Sequence, residues 1–139
     1  MRKIISFVNP ARAMAAAVAG TLLLAPAAAQ SPSMAMLGTL QTGQWDIRYR
    51  EGSAATRLCV RTGREFIQLK HGGAGACSRF VVEDAPGMVT VQYTCRGNGY
   101  GRTSIRRETP ALVQIESQGI ADGQPFALTA EARRTGACR

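Results

Sequence analysis

Phe80-Val81-Val82-Glu83, then Asp84-Ala85-Pro86-Gly87, then Met88-Val89-Thr90-Val91-Gln92-Tyr93-Thr94-Cys95: two runs rich in β-branched and aromatic residues flank a turn-rich tetrad. Such a pattern predicts a β-hairpin, with the Asp84 side chain starting the turn. The flanking sequence repeats the theme. Trp45, Ile47 and Tyr49 alternate with Asp46, Arg48 and Arg50, and Thr56, Leu58 and Val60 continue the period of two. That periodicity marks half-buried strands. Downstream, Thr103 to Glu108, Leu112 to Ser117 and Phe126 to Arg133 read as further strands, separated by Thr109-Pro110 and Asp122-Gly123-Gln124-Pro125. Arg96-Gly97-Asn98-Gly99-Tyr100-Gly101 reads as a hairpin loop. Between Val60 and the hairpin, Thr62-Gly63-Arg64-Glu65 matches a capping box, and Phe66 to Lys70 is expected to form one short helix stopped by Gly72-Gly73. The fold class is therefore mainly β: an antiparallel meander of about seven strands curled into a sandwich or partial barrel.

The chain has 139 residues, 45% hydrophobic and 19% charged, which is a globular composition of single-domain size. Arg2, Lys3 and Arg12 precede the uncharged run Ala13 to Ala25, and Ala27-Ala28-Ala29 offers small residues before Gln30. Residues 1–29 are accordingly expected to be a signal peptide cut after Ala29. Residues 30–42, rich in Ser, Pro, Met and Ala, are expected to be a flexible leader, and residues 43–139 one β-rich domain. Twin arginines are absent before the apolar run, and no Cys near the cut invites lipid attachment. Removing the leader takes three cations and leaves 14 against nine acids, with Lys70 the one remaining lysine. The expected address is periplasmic or secreted, with no transmembrane segment after cleavage.

Cys59, Cys77, Cys95 and Cys138 are separated by 17, 17 and 42 intervening residues, without the close pairs typical of zinc sites. In an exported chain an even count reads as two disulfides. The favoured pairs are Cys59 with Cys77 and Cys95 with Cys138; the rival is Cys77 with Cys95 across the hairpin.

Gly43-Gln44-Trp45-Asp46, Cys59 followed by a Thr and a short helical stretch, Tyr93-Thr94-Cys95, and the ending Ala132-Arg133-Arg134-Thr135-Gly136-Ala137-Cys138 together resemble domain of unknown function 3617, a family of small exported proteobacterial proteins. The resemblance spans nearly all of the mature chain and implies a periplasmic, disulfide-bearing, mostly β domain. It brings no catalytic residue with it. The stretch after Cys59 departs from the pattern, reading Val-Arg-Thr-Gly-Arg-Glu where an acidic helix start would stand.

Few residues suggest chemistry. His71 is the one imidazole, and beside Lys70, Gly72 and Gly73 it reads as an exposed loop residue with no nucleophile elbow anywhere to serve. Glu83-Asp84 are neighbours beside a turn and are poor candidates for paired carboxylate catalysis. The glycines from Gly97 to Gly101 lack the Lys-Ser or Lys-Thr of a phosphate cradle. Trp45, Ile47 and Tyr49 read as core. The arginines are more suggestive: Arg102, Arg106 and Arg107 share one strand, and Arg48 and Arg50 share the outward face of another. Were Arg48, Arg50 and Arg106 adjacent, they would form an anion patch for carboxylate or phosphate, including a lipid headgroup. Nucleic acid is not an expected partner, and no cofactor is expected. The expected function is a non-enzymatic binding module for a small or anionic ligand; the alternative is an envelope structural or protein-interaction module.

Overall fold

Alternating burial along every long run produces the architecture seen in the computed structural model, which describes residues 33–72 and 77–139. Seven strands form: β1 (Gly43–Tyr49), β2 (Thr56–Val60), β3 (Ser78–Asp84), β4 (Met88–Cys95), β5 (Gly99–Thr109), β6 (Leu112–Ala121) and β7 (Gln124–Gly136). They lie in one open sheet in the order β2-β1-β7-β6-β5-β4-β3, antiparallel throughout. The expected meander is present as β3 to β7, and β1 closes onto β7 to extend it. There is one sheet and not a two-sheet sandwich.

Trp45, Ile47, Val89, Val91, Tyr93, Ile105, Ile115 and Ala130 point to one face and are fully buried or nearly so. That face is covered by the connector between β2 and β3, whose Phe66 and Ile67 are 0% exposed. Trp45 meets the Phe66 ring edge-to-face with centroids 5.2 Å apart. The expected short helix is replaced by two 3-10 turns, Arg64–Phe66 and Leu69–His71. The capping pattern still works locally: Glu65 accepts the backbone N–H groups of Arg61 and Thr62, and the Thr62 hydroxyl accepts that of Arg64. Too few apolar residues recur at helical spacing to carry the turn further.

The expected flexible leader is also corrected over its described part. Met34, Met36, Leu37 and Leu40 are buried around a 3-10 turn, Leu37–Thr39. Hydrogen bonds tie the segment down: Met34 N–H to Asp84 Oδ2, Gln41 N–H to the Pro110 carbonyl, and Trp45 Nε1–H to the Gln41 carbonyl. A segment that caps a sheet has no strand or helix period, which is why its sequence looks unstructured. Gln30 to Pro32 and the expected signal peptide lie outside the described residues, as does Gly73.

The disulfides join Cys59 to Cys138 and Cys77 to Cys95, so the favoured pairing is overturned and the rival stands. The hairpin decides it: Ser78 pairs with Thr94, which sets Cys77 beside Cys95 at the next position. At the other end, Cys59 of β2 and Gly136 of β7 both pair with Gln44 of β1, so Cys138 arrives next to Cys59.

Peptide mapping without reduction is expected to recover one fragment linking Cys77 to Cys95 and another linking Cys59 to Cys138. The loops they close span 18 and 79 residues. On the chain-entropy argument, replacing Cys59 and Cys138 by Ala costs about 4.5 kcal/mol and replacing Cys77 and Cys95 about 3 kcal/mol. Urea denaturation of the two double variants checks that order.

Candidate functional site

Two polar constellations emerge, one inside the sheet and one outside. The inner one surrounds His71, which is 5% exposed and not the solvated loop residue expected. The 3-10 turn at the end of the connector drives it under β4, β5 and β6. Its Nε2 faces the carbonyls of Asn98 (3.0 Å) and Ile120 (3.2 Å). Two carbonyls can only accept, so Nε2 carries the proton and Nδ1 is left to accept from the Tyr93 hydroxyl at 2.9 Å. Tyr93 also bonds Ser117; Ser117 Oγ lies 2.7 Å from Thr103 Oγ1, which donates to the Ile67 carbonyl at 2.6 Å. These bonds tie the connector to the sheet at two places, His71 and Ile67.

Room for this chain is made by glycine. The ring of Tyr93 lies across Gly101, where an added Cβ would come within 2.5 Å of the phenol oxygen. Gly101 pairs with Gly119, whose own Cβ would sit 2.0 Å from the Tyr100 carbonyl. The glycines read as a hairpin loop are therefore partly strand, and Gly99 and Gly101 belong to β5. Among the described residues His71 has no carboxylate partner, and both its nitrogens are engaged with the protein. The arrangement ties the connector to the sheet.

The outer face carries the arginines. Arg48 and Arg106 do fall in one cross-strand row, but Glu131 and Gln114 stand between them. Arg106 is held by Glu108 at 3.0 Å. Glu131 contacts Arg133 at 3.4 Å and accepts from Gln114. Arg50 lines a shallow groove with Arg106, and Glu116 shares that groove. The expected patch of Arg48, Arg50 and Arg106 is thus interrupted by carboxylates, because strand periodicity sets the face but not what neighbouring strands interleave.

A different row is better placed. Register puts Phe80, Gln92, Arg102, Gln118 and Ala127 directly opposite one another across β3, β4, β5, β6 and β7. Directly opposed residues are about 5 Å apart at Cβ, so Arg102 rises from the sheet between two amide-bearing residues, and it also borders a second concavity shared with Glu116. Tyr100, two residues earlier on β5 and 51% exposed, shares that face. Gln92, Tyr100, Arg102 and Gln118 line one concavity floored by the backbone of Gly101 and Gly119. None of these four side chains has a hydrogen bond or ion pair among the described residues, in contrast to Arg57, Arg106, Arg107, Arg133 and Arg134. Reading Tyr100 as a loop residue hid the site; the signal that reveals it is the pairing of β5 with both neighbours.

Burial pushes the Tyr93 phenol above its ordinary value of 10.0, with the Ser117 bond pulling the other way. A raised folded value means its contribution to stability is complete below the unfolded value and is lost as pH climbs from about 10 through the folded value. Tyr93→Phe is expected to cost about 1–3 kcal/mol at pH 8 by stranding the buried partners of the hydroxyl. The gap between wild type and variant then narrows above pH 10, measured by urea midpoints at several pH values. Gly101→Ala is expected to cost about 1–3 kcal/mol by overpacking against the Tyr93 ring, read in the same assay. Comparison with family models and with curated proteins found no match for this chain.

Proposed function

We propose that this is an exported, non-enzymatic domain that binds an anionic ligand on the outer face of its sheet, at Arg102. The observation that carries the reading is the row Gln92–Arg102–Gln118, in which exposed Arg102 is flanked by two amide-bearing residues and none of the three side chains has a hydrogen bond or ion pair among the described residues. A guanidinium holds a carboxylate or phosphate through two parallel bonds, and amides add both donors and acceptors around it. Two disulfides and the resemblance to exported proteins support a periplasmic or secreted address. The engaged, buried His71 supports a role without catalysis.

A second reading has its own observation. β3 is a sheet edge, and on it Phe80 is 70% and Val82 42% exposed. Such an edge suits strand addition by an envelope protein. Here a bulge at Val82 breaks the register with β4 and works against extended pairing. Crosslinking from position 80 tests this reading.

For the first reading, citrate is expected to raise the melting temperature at low salt, with the shift collapsing at about 0.5 M NaCl as charges are screened. Arg102→Ala abolishes the shift and Arg48→Ala keeps it. Glu116, one pair further along β6 from Gln118, is the nearest acid on this face; Glu116→Gln strengthens binding about twofold, the effect of removing a like charge about 8 Å away in water. A shift that survives Arg102→Ala rules out the site.

A further inference from the structure

The row around Arg102 has more structure than an anion site needs, and the excess is informative. A bare carboxylate or phosphate would be met by clustered cations; here one guanidinium is flanked by two uncharged amides, with aromatic rings near it. Amides recognise groups that both donate and accept, as hydroxyls do, while an exposed ring offers an apolar face. One charge, several hydroxyls and an apolar ring face within one rigid unit describe a sugar acid. From the residue geometry we infer that the ligand is an acidic oligosaccharide: the carboxylate of one sugar pairs with Arg102, its ring hydroxyls meet Gln92 and Gln118, and a neighbouring pyranose stacks on Tyr100.

The dimensions agree. Tyr100 and Arg102 are separated by two residues along β5, about 7 Å, and Phe80 lies two strands from Arg102, about 10 Å. A chain crossing the strands would pass from Ala127 over Arg102 toward Phe80, the 70%-exposed ring at the edge. The face lies open along that path, which suits a polymer entering and leaving at both ends. Arg106 and Arg133 are already paired, which leaves Arg102 as the unpaired guanidinium of this row, with Glu116 bordering the adjoining concavity. This inference rests on the anion-binding reading of Arg102 and adds the sugar.

The test is isothermal titration of the purified, disulfide-bonded protein with tetragalacturonate, with neutral maltotetraose, with inorganic phosphate and with vesicles of anionic phospholipid. The expected result is binding of tetragalacturonate alone. Arg102→Ala weakens it about tenfold or more, the loss of a charged bidentate bond. Tyr100→Ala weakens it about fivefold, as on the order of 40 Å² of apolar surface returns to water. Arg48→Ala leaves it unchanged, and Tyr100→Phe restores stacking. If phosphate or vesicles bind through Arg102 and tetragalacturonate does not, the sugar assignment is wrong and the anion site stands. If none of the probes binds, or if Arg102→Ala and Arg48→Ala weaken binding alike, both readings fall.

Discussion

The position of the Tyr93 ring over Gly101 is the constraint on which the rest depends. A strand has a side-chain period of two, so slipping β4 against β5 by one residue would turn Gln92 inward, away from Arg102, and Val89 and Val91 outward. Tyr93 blocks that slip. Its ring fits where Gly101 has no side chain, and its hydroxyl closes the bonds to His71 and Ser117 that hold the connector beneath the sheet. A Cβ at position 101 would collide with the ring. The same contact therefore fixes the inner core and decides which side chains face outward.

Charge on the outer face is then distributed by register. Arg57 meets Asp46, Arg106 meets Glu108 and Arg133 meets Glu131, each an exposed pair worth about 1 kcal/mol or less. These pairs do little for stability, yet they remove those guanidinium groups from competition for a ligand. Arg102 is opposite amides instead. Gly101, which admits Tyr93, also lines the concavity beside Arg102, so the packing device and the candidate site share that glycine.

Much of this was legible from sequence where the physics is local. Alternation at Trp45, Ile47 and Tyr49, and the turn at Asp84 to Gly87, identify strands and the hairpin because side-chain period and turn chemistry are properties of short segments. Cysteine spacing alone leaves Cys77 open to either Cys59 or Cys95; the hairpin register settles it. The leader and His71 differ from expectation for one reason: Met34, Met36, Leu37 and His71 are buried by tertiary contacts, and nothing in their immediate neighbours signals that a sheet will lie over them. Arg102 was noticed on its strand. Its partners Gln92 and Gln118 come from strands ten and sixteen residues away, and only pairing of β5 with both neighbours brings them together.

The most direct test of the central claim is a residue-resolved amide chemical-shift map of the labelled protein titrated with tetragalacturonate. The account predicts saturable shifts concentrated at Gln92, Tyr100, Arg102 and Gln118, fading toward β1 and β2. Shifts centred on Arg48, Arg50 and Arg106, or confined to the β3 edge, would contradict it.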